Sequence, residues 1–466
     1  MPVGLVLGML VMNLDVPCVH GGIRLTTLIS FAVTNGAKPS AGLVQGPDGA
    51  FYGTTQTGGS SSLGTLFKIT SAGAFSNLLT FTGTGGAAPG ANPAASLIWG
   101  PDGNLYGTTF SGGASNCGTV FEVTTNGVFT TLISFTGTNG ARPGAAPAAG
   151  LAWGPNGALY GTTQLGGTND LLNGGDGTVF EVTTNGGFTS LISFTGTNGS
   201  HLGAEPSARL MLGKDGNFYG TTQFGGTNDL LNGGDGTIFR MTSTGTLTTL
   251  VSFNYVAGAN PQAGLVQGAD GNCYGTAYYG GGQGAGTIFK MTPLGVVTVL
   301  VSLDYANGAN PYADLVQGMD GNLYGATQVG GMNNCGTVFQ MTPAGALTSL
   351  VSFDGTNGRY PVAGLVQGAD GNFYGTTASG TTSPQGTVYR FPPPPVFLKW
   401  WQSDQAMAFN WSSATGQVYQ IQFKTNASQT GWSNLGGTVT ATNASMTASD
   451  GVGSSSLRIY RIGLLP

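Results

Sequence analysis

The sequence predicts an all-β chain: a seven-bladed β-propeller closed by an N-terminal strand, followed by a small fibronectin III-like β-sandwich. Three observations predict it. The phrase PDGNLYGTTFSGG, residues 101–113, is one of seven close variants along the chain. Each copy holds four short β-branched and aromatic runs separated by turn residues. The copies repeat at about 50 residues, which suits a four-stranded blade better than a solenoid coil of about 20–30.

In copy two the runs are ASLIWG (95–100), NLYGTT (104–109), GTVFEVT (118–124) and GVFTTLISF (127–135), here strands A to D. PDGN joins A to B, and Asp-Gly is a tight-hairpin signal. TTNG joins C to D in the same way.

The copies are marked by Tyr52, Tyr106, Tyr160, Tyr219, Tyr274, Tyr324 and Tyr374, at spacings of 54, 54, 59, 55, 50 and 50. Two insertions account for the irregularity. From the end of strand D to the Leu of the next strand A there are 12 residues in four copies and 16 in three. From the Tyr of strand B to the Gly opening strand C there are 12 in five copies and 17 in two. The A–B and C–D turns keep their length. In a blade the D–A and B–C connections share one rim, so every insertion falls on that rim, in copies two to four. Variable loops on one face are where repeat proteins place binding.

A strand-D run at 23–31 precedes the first copy, and the last copy stops after strand C, GTVYRF (386–391), at PPPP. The expectation is one shared blade that leaves no edge open. VFLKWW (396–401) also falls at strand-D spacing, but four prolines mark a linker. Residues 1–22, with a short apolar run and no basic start, read as a signal-like remnant or a disordered N-terminus. The domains are then 1–22, a propeller over 23–391, a proline linker over 392–395, and a sandwich over 396–466. In the last, Trp411, Tyr419, Ile421, Phe423, Trp432 and Tyr460 are the expected core.

The unit GLVQGADGNFYGTTASG (364–380), with GTVF and LISF runs following in its copies, resembles the GloVer tandem repeats of bacterial choice-of-anchor proteins. The resemblance covers 23–391. It implies export and display at the cell surface, and it brings no catalytic residues to transfer. The C-terminal RIYRIGLLP shows no recognisable anchor. The blade order is also similar to NHL-type propellers, in fold only.

Composition bounds the function. Gly is 84 of 466 residues, charged residues are 7 % and hydrophobic ones 40 %, which suits turn-rich β structure and not disorder. The net charge of −5 comes with no basic stripe, which argues against a nucleic-acid partner. No segment reads as a transmembrane span. Cys18, Cys117, Cys273 and Cys335 are too few for a disulfide framework. A monomer is expected.

The turn aspartates and the seven tyrosines read as structure: Asp caps its own turn, and a large ring beside Gly packs between blades. The loops GGTNDLLNGGDGT at 166–178 and 225–237 offer Asn169, Asp170 and Asp176, and Asn228, Asp229 and Asp235. Those oxygens are candidate Ca²⁺ ligands, although the EF-hand spacing and its closing Glu are missing. No other cofactor is expected. Trp99 and Trp153, at the end of strand A, are candidates for carbohydrate stacking against the equivalent glutamines, with packing between blades as the structural alternative. Arg142 lies in an extended D–A loop, and His201, Glu205 and Arg209 share another; no H-E-x-x-H, G-x-S-x-G or P-loop accompanies them. The expected function is non-catalytic binding of carbohydrate or protein, outside the cell or on a bacterial surface, through the D–A and B–C rim of copies two to four. The alternatives are a polysaccharide-active hydrolase or lyase and a passive scaffold.

Overall fold

The computed structural model describes residues 23–138, 140–167, 175–228, 233–380, 382, 384–403, 406–425, 428–451 and 458–465. These contain strands and turns and no helix. The expectation for residues 1–22 lies outside the described residues. The described residues divide into two compact units, one within 27–366 and 374–389, the other within 390–466, 367–373 and 23–26.

Among the described residues, seven antiparallel four-stranded sheets share one strand order. In copy two the strands are Ile98–Trp99, Leu105–Thr109, Thr119–Val123 and Phe129–Ser134. The sheet of the last copy combines Val366–Gln367, Phe373–Thr377 and Thr387–Phe391 with the first described strand, Thr26–Ser30. Phe31 N–H donates to Gly386 O at 2.9 Å, and Thr376 Oγ1 to Pro39 O at 2.9 Å. The competing strand-D candidate, 396–401, falls in the strand Phe397–Ser403, which pairs with Ala406–Ser412.

Burial follows strand position. Strand B is buried at all five residues in every copy, because neighbouring sheets cover both its faces. Strand D is mostly half-exposed. In the repeats the core clusters draw on two consecutive copies, as where Tyr106, Val120 and Phe135 of copy two meet Leu151, Leu159 and Phe180 of copy three. The first and last copies share Phe31, Leu43, Phe51, Tyr374 and Val388.

The repeated phrase can now be read residue by residue. In copy two, Asp102 accepts the backbone N–H of Asn104 at 3.1 Å and the Tyr106 hydroxyl at 2.8 Å. The same Asp–Tyr bond recurs in copies one, four, five and six, at 2.7 to 2.9 Å. Gly103 takes φ +80, as the tight turn needs. Gly107 leaves room for Phe121 and Leu97, which a Cβ would meet at 2.7 and 2.8 Å. Thr108 donates to Ala149 O in the next copy, and Thr109 pairs with Thr119 at 2.8 Å.

A second device joins successive copies. The residue before each lead-in proline has positive φ, between 52 and 58: Lys38, Asn92, Ala146, Glu205, Asn260, Asn310 and Tyr360. Its N–H bonds to the B–C loop of the preceding copy, as Ala146 N does to Cys117 O at 3.0 Å. The proline ring then packs on the glycine opening strand C of that copy. A Cβ on Gly118 would lie 2.5 Å from Pro147 Cδ, and one on Gly386 would lie 2.6 Å from Pro39 Cδ.

In the other unit, Phe397–Ser403, Ala406–Ser412 and Ser445–Asp450 form one sheet, while Val418–Lys424 pairs with Ile459–Leu464 in another. Met407, Phe409, Trp411, Tyr419, Ile421 and Tyr460 share its core. Trp432 is not in that core. Lys424 and Arg461 lie 4.7 and 4.4 Å from its ring centre, so cations rather than apolar side chains cover it.

Candidate functional site

The segments leading into strand A from all seven copies surround one cavity of ≈ 590 Å³. The residue between Ala and Leu of the A-x-L lead-in is glycine in four copies, at Gly42, Gly150, Gly264 and Gly364, and Ser96, Arg209 and Asp314 in the others. All of these except Gly264 lie in the cavity wall. Lys38, Gln56, Gln262, Tyr312 and Gln328 add polar groups. The ring position is therefore mostly bare, with one cation and one anion projecting from copies four and six. Asp314 Oδ1 accepts Gly264 N–H at 2.6 Å. Arg209 is exposed and extends over copy three, where a Cβ on Gly150 would meet its Cδ at 3.6 Å.

The tryptophans lie between sheets. Trp99 meets Tyr52 edge-to-face at 5.2 Å, and Trp153 meets Tyr106 at 5.4 Å, each against the preceding copy. Trp153 Nε1 donates to Trp99 O at 2.7 Å. Neither lines the cavity. The equivalent glutamines close their own A–B turns: Gln45 Nε2 donates to Gly49 O, and Gln317 Nε2 to Gly321 O.

The remaining candidates divide. Arg142 is half-buried, with its backbone bonded to Thr136. His201 Nδ1 lies 3.3 Å from Ser193 O. Glu205 occupies the positive-φ position, its N–H bonded to Asp176 O at 3.0 Å. Burial pushes its carboxyl above the ordinary value. Arg209 alone of this group lines the cavity.

Among the loop oxygens, Asn228 Nδ2 donates to Ser252 O and Phe253 O, both at 2.9 Å, so that side chain anchors its loop. The Asp176 and Asp235 carbonyls hold the next copy's lead-in. Asn169, Asp170 and Asp229 lie outside the described residues. Among the described residues no group of three or more His, Cys, Asp or Glu could hold a metal ion. Cys117, Cys273 and Cys335 are free thiols. No helix of the described residues is long and apolar enough to cross a membrane.

The turn carboxylates have their own electrostatics. Burial acts to raise Asp102, Asp215 and Asp270, but hydrogen bonds from the neighbouring Asn and Tyr outweigh it and hold all three below the ordinary carboxyl value. Burial and the adjacent carboxylate push Tyr219 and Tyr274 up to about 12.

Sequence reasoning missed the tyrosines of copies five and six. Tyr278 and Tyr312 meet edge-to-face at 6.1 Å, and Tyr278 and Tyr279 at 4.6 Å. Tyr278 Oη donates to Gln328 Oε1 at 2.6 Å. The signal was departure from the repeat: Tyr278 stands where other copies have Gln56 or Gln164, and Tyr312 where they have Ser40 or Ala94.

A family model described as the Gloeobacter/Verrucomicrobia repeat matches residues 18–230, 142–318 and 205–449. No curated protein matches the chain. Among solved structures, an ulvan lyase of polysaccharide lyase family PL25 is 13 % identical, with a TM-score of 0.46 over 84 % of this chain and 93 % of that one. A protein of unknown function from Dyadobacter fermentans is 10 % identical, with a TM-score of 0.43 over 80 % and 99 %. A luciferin-regenerating enzyme is 11 % identical, with a TM-score of 0.40 over 80 % and 96 %.

Proposed function

Because the chain belongs to the Gloeobacter/Verrucomicrobia repeat family, we propose that it is a non-catalytic binding protein of the bacterial surface or exterior. The architecture we assign is a seven-bladed β-propeller over 23–391, closed by its N-terminal strand. A proline linker and a fibronectin III-like sandwich follow. The binding face is the D–A and B–C rim, built out in copies two to four, and the ligand is carbohydrate or protein.

One observation carries this reading. Lead-ins from all seven copies line one cavity, yet its projecting side chains differ from copy to copy, as Ser96, Arg209 and Asp314 do beside the lining glycines Gly42, Gly150 and Gly364. A purely structural ring has no use for that asymmetry, whereas a concave site with a few placed polar groups does. Arg142, His201 and Arg209 are the rim side chains we assign to ligand contact.

Glu205 favours a second reading, a polysaccharide-active enzyme. Its half-buried carboxyl is raised, as an acid catalyst's would be, and it stands outside the cavity wall. Hydrolysis would need the second carboxylate at about 5–10 Å.

The test is a glycan array and surface-protein screen with the full chain, with polysaccharide cleavage followed in parallel. Saturable binding without cleavage, weakened by Arg142→Ala or Arg209→Ala, is expected. Depolymerisation lost in Glu205→Gln would replace binding with catalysis. Absence of any ligand would leave a scaffold.

A further inference from the structure

We propose that Tyr278, Tyr279 and Tyr312, at the junction of copies five and six, form a stacking subsite for a neutral polysaccharide. This rests on the binding reading above and gives it a ligand class and a place.

The tyrosines are not needed by the fold. Six other copies build the same lead-in with Ser40, Ala94, Ala148, Ser207, Gln262 or Val362 where Tyr312 stands. At the Tyr278 position they use Gln, Phe or Ala, and at the Tyr279 position Thr, Ser, Leu, Phe or Val. Yet here three rings converge. Tyr279 is 44 % and Tyr312 37 % exposed. Tyr305, in the D–A loop between copies five and six, is 49 % exposed.

The rings are also held in place. The backbones of Tyr279 and Ala259 exchange both hydrogen bonds, at 2.9 and 3.0 Å. Asn310 Nδ2 donates to Tyr278 O at 3.1 Å, and the Tyr278 hydroxyl is fixed on Gln328. An ordered aromatic surface needs little further ordering when a ligand arrives.

The chemistry selects the ligand. A tyrosine offers a flat apolar face and a polar rim, which matches a sugar ring with its C–H faces and equatorial hydroxyls. Tyr312, Gln262 and Gln328 line the cavity beside the cluster, and their amides and hydroxyl both donate and accept. The three rings carry no charge, and Asp314, two residues from Tyr312, disfavours an anion next to them, while the lining cations Lys38 and Arg209 enter from copies one and four.

The test is native affinity electrophoresis of the full chain in gels holding hydroxyethylcellulose, xyloglucan, galactomannan or laminarin, with alginate as the anionic arm. Retardation by at least one neutral polymer is expected. Tyr279→Ala and Tyr312→Ala should each weaken it about tenfold, the scale of a buried aromatic contact. Tyr312→Phe, which keeps the ring, should stay within about threefold. Unchanged melting temperatures show that the variants fold. Neutral retardation untouched by both alanine variants overturns the subsite and leaves surface binding standing. Retardation by alginate alone overturns the ligand class. No retardation in any gel overturns the inference, and the protein-partner screen then decides the broader reading separately.

Discussion

The two rims of the repeat unit spend their polar side chains in opposite ways. On the A–B rim, Asp102 is saturated from within its own copy, by the Asn104 backbone and side chain and by the Tyr106 hydroxyl. The same set recurs around Asp215, Asp270 and Asp320. On the D–A and B–C rim the backbone bonds repeat from copy to copy, while side chains such as Arg209, Tyr279 and Tyr305 stand exposed. A repeated acid is therefore weak evidence of chemistry when its lone pairs are already filled. A side chain that breaks the repeat, on a backbone that keeps it, is stronger evidence.

The sharpest way to break this comparison is at the joints between copies, which both rims depend on. Gly118 has φ +94, and a Cβ there would meet Thr109 O at 2.4 Å and Pro147 Cδ at 2.5 Å. Gly118→Ala should cost about 3 kcal/mol, from backbone strain and overpacking together, measured by denaturant unfolding. A loss under about 0.5 kcal/mol, the scale of an ordinary surface change, would mean that the joints do not hold the copies together.

The next effect belongs to the turn rim. Asp102→Ala should cost about 2 kcal/mol, because the Tyr106 hydroxyl and Asn104 N–H both lose their acceptor. The pH dependence carries a sign. These carboxyls sit below their ordinary value of 3.8 in the folded chain. Their contribution is therefore present above pH 3.8 and lost as pH falls through the lower folded value. Tyr219 and Tyr274, raised from 10 to about 12, contribute below pH 10 and lose that contribution between pH 10 and about 12. Melting temperature against pH should fall at both ends, and a flat acid limb would show that the turn network is inert.

Trp153→Phe probes the packing between copies two and three at a smaller scale. It keeps a ring against Tyr106 but removes the Nε1 bond to Trp99 O. The expected cost is about 1 kcal/mol, one neutral hydrogen bond. Loss of glycan binding with stability unchanged would instead return the tryptophans to a stacking role.

The sequence made the strand order and the loop lengths legible because insertions in a repeat have to go where the ladder permits them. Copies two to four lengthen only D–A and B–C, all seven sheets keep one strand order, and copies one and two, without and with the D–A insertion, pair in the same register. The Asp-Gly turns were equally readable, since their chemistry is local. The role of Trp99 was not. The run LIW gives the alternation of faces, but not which face meets the neighbouring copy, and that depends on how two sheets dock. Glu205 was opaque for a related reason: its positive φ is imposed by the joint to the preceding copy. The tyrosine cluster was hidden because its members, Tyr278 and Tyr312, are 34 residues apart and meet only when adjacent copies are placed side by side.

The smallest stability effect should come from Arg209, where the comparison of rims is most exposed to refutation. Four copies place glycine at this position, so the lead-in needs no side chain there to fold. Arg209 lines the cavity and is exposed. Its stem crosses the open space above Gly150 without tight contact, at 3.6 and 3.8 Å from where a Cβ would stand. Positive charge that close to the cavity acts on whatever enters it and very little on the sheets beneath. Arg209→Ser, which copies the side chain of Ser96, should leave unfolding within about 0.5 kcal/mol of the parent. The affinity for any anionic or hydroxyl-rich ligand should move more than the stability does. A cost above about 1.5 kcal/mol would place Arg209 among the joints, because surface substitutions away from such features do not reach that size. The loop rim would then be as much a part of the framework as the turn rim.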